Sequence, residues 1–116
     1  MISILDYGLG NVQAFKSAYD HLEIENNIIK SPKDLNNATH IILPGVGSFD
    51  EALIKIIDKG FKKKLDDLVL FRESKILGVC IGLQIMCKSS DEGNQKGLGW
   101  IDASVKKINS ENSLLK

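Results

Sequence analysis

Gly78-Val79-Cys80-Ile81-Gly82 stands between one apolar run, Ile76-Leu77, and another, Leu83 to Cys87. A Gly-x-nucleophile-x-Gly turn between a strand and a helix is a nucleophile elbow. The flanking glycines allow the tight turn, and the turn lifts the Cys80 sulfur to the edge of the sheet. The next backbone N–H, that of Ile81, then faces the reaction centre. A thiolate there would sit at a helix N-terminus, where free N–H groups and the helix dipole stabilise an anion. That arrangement favours attack on a carbonyl carbon. The same five residues also suit a small buried cysteine at a strand–helix junction, so the motif alone leaves both readings open. A cysteine nucleophile works with a histidine, and none follows Cys80. The two histidines, His21 and His40, both lie upstream.

Other segments have chemistry to offer. Pro44-Gly45-Val46-Gly47 is a turn whose glycines can aim backbone N–H groups at a ligand, and with the Ile81 N–H it could form an oxyanion hole. Gln84 lies four residues after Cys80, one helical turn on and on the same face. Its amide could orient a substrate or simply cap polar surface. Glu92, in Asp91-Glu92-Gly93, could recognise an ammonium group or be a solvated loop acid. Cys87 lies among Leu83 and Met86 and reads as core. His40 precedes a strand and His21 ends a helix, so neither is expected at the carboxyl edge of the sheet.

These groups must be positioned by the elements around them. Ile2 to Asp6 reads as a buried strand and Gly8-Leu9-Gly10-Asn11 as a turn. A helix follows, with Val12, Phe15, Tyr19 and Leu22 at helical spacing. Ile28-Ile29 marks a second strand. Ser31-Pro32 starts a short helix, with a cap residue before proline at the first helical position. Ile41-Ile42-Leu43 is a third strand, ended by Pro44-Gly45. Phe49, Leu53, Ile56 and Ile57 mark a helix face that Gly60 interrupts, and Phe61, Leu65, Leu68 and Val69 continue a helical stripe. Ile76 to Val79 is a fourth strand entering the elbow. Ser89 to Gly99 reads as a loop. Ile101 to Ile108 alternates partly, with Ala103, Val105 and Lys107 on one face, as a strand would. Ser110 to Lys116 carries no signal.

Apolar strands alternating with helices predict an α/β fold, an open and mostly parallel sheet with helices on both faces. Sites in such sheets lie at the carboxyl ends of strands. Tyr7-Gly8, the Pro44-to-Gly47 turn and Cys80 all fall there, and that convergence is stronger than any one motif.

Composition narrows the classes. The 116 residues are 43% hydrophobic and 26% charged, and 15 basic residues balance 15 acidic ones. This is a globular composition of one-domain size. The balance leaves no electrostatic footprint for nucleic acid or an anionic membrane. Lys62-Lys63-Lys64 is followed by Asp66-Asp67 and reads as a solvated helix face. No apolar stretch approaches the roughly 20 residues of a membrane span, and no basic region precedes the first apolar run as in a signal peptide. Two cysteines do not make a disulfide framework, and the expected compartment is reducing and cytoplasmic. No metal-ligand spacing is visible, and Gly8-Leu9-Gly10 lacks the third glycine of a dinucleotide fingerprint.

Taken in order, these segments resemble the class I glutamine amidotransferases. The matching text is Asp6-Tyr7-Gly8-Leu9-Gly10-Asn11, Leu43-Pro44-Gly45-Val46-Gly47-Ser48-Phe49, Leu77 to Gln84, Ser89 to Gly93, and Gly97-Leu98-Gly99-Trp100-Ile101. More narrowly, the chain resembles the glutaminase-subunit branch that serves imidazole glycerol phosphate synthase in histidine biosynthesis, from residue 1 to about residue 108. The resemblance implies a flavodoxin-like sheet and no cofactor or metal. It implies that Cys80 attacks the side-chain amide of glutamine, releasing ammonia and leaving a glutamyl thioester for water to cleave. It assigns the oxyanion hole to Val46, Gly47 and the Ile81 N–H, with the turn reorienting when the partner's site is occupied. By position, Gln84 and Glu92, with Gly45, would hold the glutamine. Asn11 and Gln13 would face a (β/α)8-barrel cyclase that receives the ammonia.

The family completes its triad with a His-x-Glu segment near the end of a longer domain, and this sequence stops before any such segment. Residues 1–116 are therefore expected to form a single glutamine amidotransferase domain, C-terminally incomplete and lacking that segment. The expectation is negligible glutaminase activity for the 116 residues alone, with exposed apolar surface and marginal stability. Two further readings compete. One is the amidotransferase of a paralogous pair making amidino-modified surface sugars. The other is a non-catalytic module that binds a cyclase. A cysteine hydrolase or redox protein fits less well, because it leaves the Pro-Gly-Val-Gly and Gly-Leu-Gly-Trp segments unexplained.

Overall fold

The computed structural model describes residues 1–108, so the stretch from Ser110 to Lys116 lies outside the described residues. Four strands, β1 (Ile2–Leu5), β2 (Asn26–Ile29), β3 (His40–Leu43) and β4 (Lys75–Gly78), form one parallel sheet in the order β2-β1-β3-β4. The chain leaves β1 for β2 on one side and returns to β3 on the other. The carboxyl ends of β1 and β3 therefore flank a topological switch point, where open α/β sheets hold their ligands.

The register explains the two faces. Ser3 and Leu5, Asn27 and Ile29, and Ile41 and Leu43 share one face. Against it pack α2 (Phe49–Asp58) and α3 (Phe61–Asp66), burying Phe49, Ala52, Leu53, Ile56, Phe61 and Leu65 with Leu68. Full burial of each large apolar side chain stabilises the fold by roughly 1.5–3 kcal/mol. The opposite face carries the buried Ile4 and Ile42, and α1 (Val12–His21) lies on that sheet against β1 and β2.

Local chemistry sets the helix ends. Asn11 Oδ1 accepts the Ala14 N–H at 3.1 Å and starts α1. Ser48 Oγ accepts the Glu51 N–H at 3.1 Å, and Asp50 and Glu51 place negative charge in the first turn of α2, where the dipole favours it. Gly60, at φ +80°, makes the left-handed joint between α2 and α3, as the interrupted stripe predicts. Beyond α3 the helix widens into a π turn over Asp67–Phe71.

The α1 helix forms where its spacing predicts, with Val12, Phe15 and Tyr19 half-buried and Leu22 exposed. Four expectations are corrected. The helix after Cys80, α4 (Ile81–Gln84), stops before Ile85 instead of running to Cys87. The carbonyls of Ile85, Met86 and Cys87 are taken by the N–H groups of Leu98, Ile101 and Gly99 at 2.8, 3.0 and 3.1 Å. The α-helical pattern has already lapsed there, since the Met86 and Cys87 N–H groups reach back three residues, to the Leu83 and Gln84 carbonyls at 3.2 and 3.1 Å, as in a 3₁₀ turn. Cys87 is half-buried rather than core. The stretch Ser89 to Gly99 is not all loop: β5 (Ser89–Ser90) pairs in parallel with β6 (Ser104–Val105), and β6 is all the strand that Ile101 to Ile108 contains. Among the described residues, no helix is long and apolar enough to cross a membrane.

Candidate active site

The elbow is built by contacts only glycine permits. Cys80 itself sits at φ 56°, ψ −124°, a sparsely populated conformation that costs on the order of 1–3 kcal/mol and clusters at functional sites. A Cβ on Gly78 would lie 2.7 Å from the Leu83 Cα, and a Cβ on Gly82 would collide with the Leu43 carbonyl. The start of α4 is thus pressed onto the end of β3. Cys80 is exposed, and it and Cys87 are free thiols.

The same contact carries the Pro44-to-Gly47 turn to the elbow. A Cβ on Gly45 would meet the Gly82 nitrogen at 2.8 Å and the Tyr7 hydroxyl at 2.6 Å. The Tyr7 hydroxyl, fully buried, donates to the Pro44 carbonyl at 2.6 Å. Burial pushes the Tyr7 phenol well above its ordinary range, which keeps it a neutral donor. Gly10, at φ +112°, approaches Pro44 from the other side. The ends of β1, β3 and β4 therefore meet around Pro44 and Gly45. Val46 and Gly47 emerge from this packing to solvent, Gly47 at φ +90°. Among the described residues, the N–H groups of Val46, Gly47 and Ile81 have no hydrogen-bond acceptor.

Gln84 stands one turn above the elbow, its N–H bonded to the Cys80 carbonyl at 3.2 Å. It lines a depression of about 370 Å³ together with Glu92, Val105, Lys106, Lys107 and Ile108, within the size range of small-molecule sites. The β5–β6 pairing brings these distant stretches together. A larger depression of about 600 Å³ lies between Ile57, Gly60, Lys63 and Phe71, and neither depression is lined by a residue of the Gly78-to-Gly82 elbow itself.

The two histidines lie away from the elbow, as the sequence leads one to expect. His40 opens β3 beside Lys75, at the amino end of the sheet, and His21 closes α1. Neither stands at the edge that carries Cys80. Asn11 is engaged as the α1 cap, and Gln13 is exposed on the first turn. Among the described residues, no group of three His, Cys, Asp or Glu side chains could hold a metal.

Two residues escape sequence reasoning. Tyr7 sits in a segment that stands out for its place after β1, but its hydroxyl has no partner until β3 is placed beside it. Asp50 reads as an ordinary first-turn acid, yet it binds the loop carrying Glu92.

The chain is similar to known proteins along nearly its whole length. The model of the SNO glutamine amidotransferase family matches residues 8–111. The imidazole glycerol phosphate synthase subunit HisH of Leptospira interrogans is 48% identical over 99% of this chain and 57% of its own length. Those of Leptospira borgpetersenii and Bdellovibrio bacteriovorus are 46% and 44% identical, over 55% and 53% of their lengths. The chain thus spans a little over half the length of these curated relatives. A crystal structure of a glutamine amidotransferase superposes with a TM-score of 0.76 at 22% identity, over 90% of this chain and 55% of the other. That likeness speaks to the fold.

Proposed function

The chain belongs to the SNO glutamine amidotransferase family, and from that premise we propose that it is the nucleophile-bearing portion of a glutaminase subunit. Cys80 Sγ attacks the side-chain amide carbon of glutamine. A sulfur–carbon bond forms, the carbon–nitrogen bond breaks, and the nitrogen takes a proton and leaves as ammonia. Water then cleaves the thioester to glutamate and restores the thiol. The observation that carries this reading is the strained Cys80 elbow packed, through Gly82, against the Pro44-Gly45 turn.

The other roles follow from position. Val46, Gly47 and Ile81 supply N–H groups to the tetrahedral oxyanion. Gln84 and Glu92 hold the polar end of glutamine in the depression they share, and Gly45 leaves room beside the elbow. The proton acceptor for Cys80 is the histidine of a His-x-Glu segment outside residues 1–116, since His21 and His40 lie away from the elbow. The names of the relatives favour histidine biosynthesis. On that reading the ammonia passes to a (β/α)8-barrel cyclase making imidazole glycerol phosphate, in the cytoplasm, with Asn11 and Gln13 near the shared surface.

The test is covalent capture. The full-length protein with its cyclase is treated with a diazoketone analogue of glutamine and digested for mass spectrometry. Labelling of Cys80, protected by glutamine and absent in Cys80→Ser, is expected, with glutamine turnover in Cys80→Ser down by at least about 1,000-fold. Undiminished turnover in Cys80→Ser refutes the proposal.

A further inference from the structure

The Asp50 carboxylate accepts three hydrogen bonds from a segment 44 residues away. The Asn94 N–H reaches Oδ1 at 3.0 Å and Oδ2 at 2.9 Å, and the Gln95 N–H reaches Oδ1 at 2.8 Å. Gly93 makes this approach possible, because a Cβ there would collide with Asp50 Oδ1 and lie 3.1 Å from the Phe49 ring. Hydrogen bonds to a carboxylate are short and about twice as strong as neutral ones. The preceding residues are tied more lightly, with the Glu92 N–H on Ser90 Oγ at 3.2 Å and the Gly93 N–H on the Ser90 carbonyl at 3.2 Å. Glu92 therefore sits on a short arm whose near end is β5 and whose far end is Asp50.

Asp50 lies two residues past the Ser48 cap of α2, the helix that directly follows the Pro44-to-Gly47 turn. We propose that Asp50 is a positioning residue. Its carboxylate fixes the Gly93–Gln95 backbone so that Glu92 stays in the depression it shares with Gln84, and it ties that arm to the helix entered from the turn. Asp50 touches no reacting atom, and its effect passes through Glu92. The inference rests on the functional reading above, with glutamine as the ligand held there.

The test uses the full-length protein with its partner subunit, with Asp50→Ala, Asp50→Asn and Gly93→Ala. Asp50→Ala is expected to speed hydrogen exchange at the Asn94 and Gln95 amides and leave the β1 and β3 amides unchanged. It should raise KM for glutamine about tenfold, the scale of one lost charge-assisted bond, while kcat moves less than about threefold. Asp50→Asn keeps one acceptor oxygen and should recover part of the KM. Gly93→Ala, whose Cβ would strike Asp50 Oδ1 and push the arm off a chemically intact carboxylate, should reproduce the raised KM. A general loss of folding would instead lower kcat and speed exchange throughout. If the wild type turns over glutamine and all three variants keep its KM, this inference fails alone. If the wild type does not act on glutamine while Asp50→Ala still frees the two amides, the functional reading fails and takes the role for glutamine with it.

Discussion

The Tyr7 hydroxyl and the Pro44 carbonyl are joined by a buried 2.6 Å hydrogen bond across 37 residues of chain. This bond ties the end of β1 to the end of β3 where the candidate site is assembled. A buried carbonyl that loses its donor keeps its full desolvation cost. The bond also sets the Pro44 carbonyl just before Gly45, which abuts the Gly82 nitrogen of the elbow. One hydroxyl thus supports both walls of the site.

Replacing Tyr7 with Phe should lower unfolding stability by about 1–3 kcal/mol, as read from urea midpoints. The pH dependence should change as well. The unfolded chain releases the Tyr7 proton near about pH 10, and the folded protein retains it because burial raises the phenol. Above that pH the unfolded state binds fewer protons, so stability falls as pH rises. The contribution is fully present below about pH 10 and is lost on the alkaline side. Tyr7→Phe should flatten that decline by one proton's worth; an unchanged alkaline slope would show that Tyr7 does not titrate differently in the two states.

Much of this arrangement was legible before folding, because it rests on local signals. The strands β1, β3 and β4 are apolar runs with turn residues behind them, and the α2 face follows helical spacing. The elbow is a five-residue motif whose geometry is its own. What stayed hidden depends on contacts between distant segments. The stretch after α4 gives its Ile85, Met86 and Cys87 carbonyls to the Leu98, Ile101 and Gly99 N–H groups, a pairing set by the fold. The grip of Asp50 on Asn94 and Gln95 exists only once α2 lies beside that loop. The exposure of Leu77, at 55%, depends on α1 lying over the other half of the sheet. Spacing within one segment reports none of these.

Asp66 offers a probe of the Gly97-to-Ile101 segment. The Trp100 indole N–H donates to Asp66 Oδ1 at 2.7 Å, and Lys62 Nζ lies 2.6 Å from Oδ2. The Lys62 pair is substantially exposed and should contribute little. The indole bond is the better anchor, since it ties the Gly97-to-Ile101 segment to α3. Asp66→Ala should destabilise by about 1–2 kcal/mol and shift the emission of Trp100, the sole tryptophan, to longer wavelength. Asp66→Asn keeps an acceptor oxygen and should remain near wild type in both readouts. Equal effects from the two variants would assign the role to the Lys62 charge instead.

Gly82 tests whether the packing of the elbow on β3 governs the reactivity of Cys80. A Cβ there would strike the Leu43 carbonyl and approach the Pro44 carbonyl carbon to 3.1 Å. Both are backbone atoms at the end of a buried strand, so neither can swing aside as a flexible side chain would. Gly82→Ala should therefore cost about 3 kcal/mol, the upper part of the overpacking range. By moving α4 off β3 it should also change the rate of Cys80 alkylation by iodoacetamide, followed separately from Cys87 by peptide mass. Gly99 supplies the comparison. It sits at φ +75°, and a Cβ added there would meet nothing within 4 Å, so Gly99→Ala costs only backbone strain of roughly 1–2 kcal/mol. Its Cys80 should react as in the wild type. If the two variants lose equal stability and alkylate alike, contact with Leu43 does not hold the elbow, and the strained Cys80 backbone must be maintained by the turn alone.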